Sequence, residues 1–234
     1  MTPPLVHLVG AGPGDPLLLT RRAADLLARA DVVVVDRASA APVLALAPPR
    51  AARHHVGRSA RGPAWDLDAI VDLLAAEARP GRTVVRLKSG DPFVCSRGAE
   101  EALALAARGV RCEVVPGVTA ATAAPLAANW PLGRTVTIAA GNADPVQPPL
   151  DLAALADPRA TLVVLTGRAR QAALADGLVA AGLPPTTPAA VVQGAFRPTQ
   201  QVLATTLAGL GGSRLPPPAA LVIGPSEGDG DAHP

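Results

Sequence analysis

The segment that most constrains this chain is a short apolar run, Leu5–Val9, ending abruptly in Gly10-Ala11-Gly12-Pro13-Gly14-Asp15. A run with four apolar residues in five, closed by a glycine turn, reads as a buried strand. Thr20 is placed to cap a following helix that carries Ala23, Leu26, Leu27 and Ala30 on one face. Val32–Val35 then forms a second strand, with Asp36 at its carboxyl end. Strand, glycine turn, helix and strand is the opening of an α/β fold with a parallel sheet.

The same order of elements invites comparison with a dinucleotide site, with Asp36 on a ribose. Two residues speak against it. Asp15 stands where that fingerprint needs a third small residue, and its carboxylate would repel a pyrophosphate at the helix start. Pro13 removes one of the N–H donors such a loop offers. The turn suits a cofactor without phosphates.

Further along, a third strand is expected over His54–Gly57, after Pro48-Pro49 breaks the chain. Helix is expected over Leu67–Ala78 and is stopped by Pro80-Gly81. A strand over Thr83–Leu87, a loop Ser89–Pro92, a helix from Gly98 to Ala107 and a strand Cys112–Val115 follow. Pro116-Gly117 is the expected hinge, dividing a lobe 1–116 from a lobe 117–225 and a polar tail 226–234. The second lobe reads as a helix near Ala120–Ala128, strands Thr135–Ala140 and Thr161–Leu165, and a helix around Ala169–Ala180. Strands Ala189–Val192, Gln200–Thr205 and Ala219–Ile223 close it. Helices alternate with strands in the first lobe, which predicts a mainly parallel sheet. The second lobe has more consecutive strands, which predicts a mixed one.

Composition narrows the function. The 234 residues are 49% hydrophobic and 17% charged, a globular balance. A net charge of +2 is too mild for a protein that neutralises many phosphates, and two Phe, two Trp and no Tyr make no platform for bases, so no nucleic acid is expected. No apolar run approaches the roughly 18 residues that span a bilayer, and there is no basic-then-apolar leader, so a cytoplasmic protein without membrane contact is expected. Cys95 and Cys112 lack metal-ligand spacing, so no metal is expected, and each reads as a free thiol. Lys88 is the only lysine among 21 cations, and the arginine forks suit a substrate rich in carboxylates.

Gly10–Pro16 with Leu18-Leu19-Thr20, Val34-Val35-Asp36-Arg37 and Val56-Gly57-Arg58 resemble the tetrapyrrole (corrin/porphyrin) methylases. So do Val85-Arg86-Leu87-Lys88-Ser89-Gly90-Asp91-Pro92-Phe93-Val94, Arg97-Gly98-Ala99-Glu100-Glu101 and Val114–Ala120. Leu162-Val163-Val164, Pro188–Val192, Arg197–Gln200 and Pro217–Gly224 continue the series in order, so the resemblance covers nearly the whole chain. The Asp-Pro-Phe-Val and Arg-Gly-x-Glu-Glu segments resemble the uroporphyrinogen branch, the uroporphyrinogen-III C-methyltransferases.

The resemblance implies a two-lobed class III methyltransferase fold that binds S-adenosylmethionine between its lobes, releases S-adenosylhomocysteine and works as a homodimer. It implies methylation of uroporphyrinogen III to precorrin-2, by way of precorrin-1, for sirohaem or cobalamin. Another tetrapyrrole or corrinoid substrate, or a paralogue that binds the cofactor without catalysis, are the alternatives. Carried over by position, the cofactor contacts are Gly12, Pro13, Ser89, Gly90, Asp91, Val94, Thr119, Ala120, Thr166, Ala190 and Ala195. Asp36 matches a base, Arg58 a proton donor, and Arg97 a substrate-holding residue also considered as the base. Glu100 and Arg134 match substrate contacts. Ser89 stands where the family has glycine, Cys95-Ser96 where it has Phe-Gly, and Thr166 where it has methionine. The loop after Leu132 is shortened to Gly133-Arg134.

Overall fold

The protein is described by a computed structural model that covers residues 3–36, 41–57, 65–141, 149–166, 171–213, 215 and 219–226. It divides into two compact units, Met1–Thr119 and Ala120–Pro234.

The first unit runs β1 (Leu5–Gly10), α1 (Arg21–Ala28), β2 (Val32–Val35), α2 (Ala41–Leu44), β3 (Ala52–His55), α3 (Leu67–Glu77), β4 (Val84–Lys88), α4 (Gly98–Ala107) and β5 (Arg111–Val115). Its five strands are all parallel, in the order β3-β2-β4-β1-β5. Successive side chains of a strand point to opposite faces, and β2 shows the result. Val33 and Val35 join Ala23, Leu26 and Leu27 of α1 in one core. Val32 and Val34 join Ile70, Val71 and Leu74 of α3 and Leu105 of α4 in the other. Covered on both faces, β2 can be four valines in a row, and each buried side chain contributes about 1.5–3 kcal/mol. The Thr20 hydroxyl accepts from Ala23 N–H and starts α1, and Asp66 does the same for α3 through Ala69.

The second unit runs α5 (Ala120–Ala127), β6 (Val136–Ala140), α6 (Leu152–Leu155), β7 (Thr161–Thr166), α7 (Gln171–Ala180), β8 (Pro188–Gln193), β9 (Gln201–Thr206) and β10 (Ala219–Ile223). Its sheet order is β6-β7-β10-β8-β9, parallel only between β6 and β7. The mixed sheet is therefore as expected. Leu174, Ala175 and Leu178 of α7 cover one face with Leu162, Val164, Val191 and Leu221, and α5 packs against β7, β8 and β10.

One expectation needs correction. The third strand is Ala52–His55, two residues earlier than expected, because pairing with β2, and not its own residue pattern, sets its ends. Its pairing with β2 ends at Val56, whose N–H donates to Val35 C=O. The four-residue helices α2 and α6 are single turns, too short to carry a periodic signal. Helix α7 is described over Gln171–Ala180, within the expected span, and its expected first residues 169–170 lie outside the described set.

Candidate active site

In a parallel sheet, ligands bind beyond the carboxyl ends of the strands. In the first unit the segments leaving β1, β4 and β5 converge there. Ala11 N–H donates to Lys88 C=O at 2.7 Å, and Gly12 and Gly90 exchange N–H···O=C bonds of 3.1 and 2.9 Å. The three backbones cross without side chains: a β-carbon at Gly10 would lie 2.6 Å from Gly117 Cα and 2.6 Å from Gly90 O. Asp91 ties the crossing. Its Oδ2 accepts from Gly117 N–H at 3.1 Å and its Oδ1 from Phe93 N–H at 2.8 Å.

This arrangement tests which cofactor the turn fits. The N–H groups of Ala11, Gly12, Leu17, Leu18 and Leu19 are all engaged, Leu17 by the Asp15 carboxylate. A phosphate cradle needs such donors free. What remains is a backbone shelf with left-handed Gly12 (φ 63°) and Gly90 (φ 67°), partly exposed Ser89, Asp91 and Val94, and Val118-Thr119 alongside. The set fits a cofactor that carries no phosphate.

Asp36 sits at the end of β2, 28% exposed, and its carboxylate is held from below. Arg86 Nη2 donates to Asp36 Oδ1 at 2.5 Å. The same guanidinium grips Glu101 of α4 with two bonds of 2.9 Å and reaches Val34 C=O. Lys88 Nζ lies 2.5 Å from Glu101 Oε1 and 3.8 Å from Asp36 Oδ2. Arg86, Lys88 and Glu101 are each more than 95% buried. Burial works to lower the proton affinity of Arg86, but Asp36 and Glu101 outweigh it and hold the guanidinium above its ordinary value. Two cations against two carboxylates balance, which a buried cluster requires.

Sequence reasoning did not single out this cluster. The signal was present: Arg86 and Lys88 are two residues apart inside an apolar strand, hence on one buried face. Glu101 and Leu105 share the buried ridge of α4. Only the tertiary pairing of β4 with α4 tells that they meet.

The loop from Pro92 to Gly98 closes tightly, with Gly98 N–H donating to Pro92 C=O and a Gly98 β-carbon excluded at 2.1 Å from that oxygen. Within it Cys95 (φ 52°) and Arg97 (φ 58°) are left-handed, although neither is glycine. Backbone strain of this kind clusters at functional loops. Arg97 is the N-cap residue of α4. It is exposed, and its Nε lies 4.0 Å from Glu100 Oε1. Arg58 lies outside the described residues.

In the second unit, Thr166 ends β7 in the same row as Ala219 and Gln193, and buried Ala195 follows two residues after that row. Ala190 is three residues further in, level with Val222 and Val163. Gly194 (φ 60°) and Phe196 (φ 58°) turn the chain beyond β8. Arg134 is not brought to this end. It precedes β6, whose first residue Val136 pairs with Thr161 at the opposite end of β7, and it lines an open groove with Asp157, Arg159 and Ser226.

The sequence model of the tetrapyrrole (corrin/porphyrin) methylases matches residues 5–211. This chain belongs to that family. The tetrapyrrole methylase is 40% identical over 228 residues to a siroheme synthase of Nitrosospira multiformis, covering 94% of this chain and 48% of that protein. It is 43% identical over 226 residues to siroheme synthase 1 of Yersinia pseudotuberculosis, with 94% and 48% covered. The chain thus spans about half the length of the curated relatives it matches. Among solved structures, uroporphyrin-III C-methyltransferase from Thermus thermophilus complexed with S-adenyl homocysteine superposes with a TM-score of 0.80 at 39% identity, covering 94% of this chain and 96% of that one. A cobalt precorrin-4 methyltransferase gives 0.80 at 29% identity, with 94% of both chains covered. No helix of the methylase is long and apolar enough to cross a membrane, and no cluster of three metal-ligating residues occurs, among the described residues.

Proposed function

We propose that this methylase transfers a methyl group from S-adenosylmethionine to a carbon of uroporphyrinogen III, giving precorrin-1 and then precorrin-2 on the route to sirohaem or cobalamin. The observation that carries the reading is a partly exposed Asp36 carboxylate fixed by Arg86 beside a phosphate-excluding glycine turn. It occurs in a chain 39% identical over nearly its whole length to a uroporphyrin-III methyltransferase. Bound, the cofactor supplies an electrophilic methyl group on a sulfonium.

The residues do the rest. Gly12, Pro13, Ser89, Gly90, Asp91, Val94 and Thr119 of the first unit, with Ala120, Thr166, Ala190 and Ala195 of the second, hold the cofactor. The pyrrole carbon is already nucleophilic, so the site has to position it and then accept a proton. Asp36 is the acceptor. Arg97 is no rival for that role, because a guanidinium stays protonated. Exposed at the head of α4, Arg97 instead holds a substrate carboxylate, with Glu100 beside it accepting from a pyrrole N–H. Arg134 lies at the other end of its sheet from Thr166. The working form is a cytoplasmic homodimer. Exposed Val136 and Ile138 on the edge strand β6 support pairing.

The test is to incubate the protein with uroporphyrinogen III and S-adenosylmethionine and look for precorrin-2 and S-adenosylhomocysteine. Cofactor binding without turnover would point instead to a non-catalytic paralogue. Ser89 and Thr166, at positions where the resemblance expects glycine and methionine, give that second reading its basis.

A further inference from the structure

Glu101 is a buried carboxylate with nothing to react with. Its Oε1 receives both Lys88, at 2.5 Å, and Arg86 Nη2, at 2.9 Å, and its Oε2 receives Arg86 Nε at 2.9 Å. Both cations it engages also face Asp36, Arg86 at 2.5 Å and Lys88 at 3.8 Å. Asp36, itself partly exposed, therefore stands against two buried positive charges. Cations close to a carboxylate favour its charged form unless another negative charge offsets them. Glu101 is the opposing charge.

We propose that Glu101 is a positioning residue for Asp36, taking up the charge of Arg86 and Lys88 so that a cation orients Asp36 without suppressing its ability to take a proton. Lys88 is the counterpart of Glu101 and acts in the opposite sense. This rests on the reading of Asp36 as the proton acceptor. Glu101 sits one turn into α4, on the ridge that carries Leu105 against the sheet, so its reach to β4 is set by helix packing and not by the exposed loop before it. Among the described residues, β3 adds two imidazoles near this strand end. On β3, His54 is drawn toward Glu77 of α3 at 3.5 Å and His55 is exposed.

The test reads Asp36 itself. Carbon-13 labelling of the aspartate carboxyl groups, with Asp36→Asn to assign the resonance, gives its titration midpoint in the whole protein without any need for turnover. Glu101→Gln keeps the shape and loses the charge, and the midpoint should fall by roughly one pH unit. Lys88→Met should raise it by a similar amount. The double variant Glu101→Gln/Lys88→Met, neutral in sum, should return near the parent value and fold as the parent does. It also covers the case in which Glu101→Gln alone is too unstable to titrate. Shifts of the same sign in both single variants, or no shift in Lys88→Met and the double variant, would overturn the proposal. Turnover separates the two ideas: if Asp36→Asn stays active while the opposed shifts are seen, the acceptor reading fails and the electrostatic one stands. If Asp36→Asn is inactive and the shifts are absent, the reverse holds.

Discussion

The carbonyl oxygen of Asp36 occupies the space that a β-carbon at Gly57 would need, at a separation of 1.6 Å. The chain leaving β3 thus passes directly over the backbone of the proposed proton acceptor. Gly57→Ala must push Asp36 off Arg86 or move the strand end. It should lower stability by about 1–3 kcal/mol and turnover by about 100-fold, while calorimetric affinity for S-adenosylhomocysteine changes little. Equal losses of affinity and turnover would mean that Gly57 serves the cofactor shelf instead.

Arg97 is exposed and its only close carboxylate among those described is Glu100, at 4.0 Å. Such a pair contributes little to folding, so Arg97→Ala should shift stability by less than about 0.5 kcal/mol. Turnover should nevertheless fall by about 100-fold or more, with cofactor affinity unchanged. A large loss of S-adenosylhomocysteine binding would place Arg97 with the cofactor.

The two thiols offer a footprint of the cofactor. Burial pushes Cys112 up to about 11, and it also raises Cys95, which is exposed. Iodoacetamide at pH 8 should label Cys95 first, because the thiolate is the reacting form. Since Cys95 follows the proposed contact Val94, S-adenosylhomocysteine should slow that labelling. Mass spectrometry of tryptic peptides decides it, and an unprotected Cys95 would count against the proposed position of the cofactor.

His7 on β1 supplies a pH dependence. Burial lowers its proton affinity from the ordinary 6.5, Glu113 only partly restores it, and Arg22 and Arg29 lower it further. Just below pH 6.5 the unfolded chain therefore binds a proton that the folded one does not. Stability contributed above that pH is lost as pH falls through 6.5 toward the folded value. Urea unfolding at pH 8 and pH 5.5 should show the drop, and His7→Gln should make it smaller.

Legibility differed from place to place for physical reasons. The span of α4, Gly98–Ala107, and the cap of α1 by Thr20 could be read because both signals are local: a glycine stop after one helix and a hydroxyl before the other. Strand β3 was misplaced because its pairing with β2, and not its own polarity, sets its ends. The Arg86–Glu101–Lys88 cluster joins residues 13 and 15 apart across a loop, and no local pattern announces which buried carboxylate answers which cation. Asp91 reads from sequence as a cofactor contact and Asp15 as a charge that would repel a pyrophosphate, and neither reading shows what the carboxylate holds. Both hold backbone N–H groups, Asp91 on Gly117 and Asp15 on Leu17.

The crossing of Gly10, Gly90 and Gly117 limits how such a site can be altered. A β-carbon at Gly117 would lie 2.3 Å from Gly90 O, and one at Gly10 would meet both of the others. Neither Gly10 nor Gly117 can acquire a side chain while the other two keep their places, and left-handed Gly90 (φ 67°) disfavours any residue but glycine. At this crossing, room for change lies with neighbours such as Pro13, Ser89 and Val118. There a change of side chain reshapes the shelf and leaves its foundation in place.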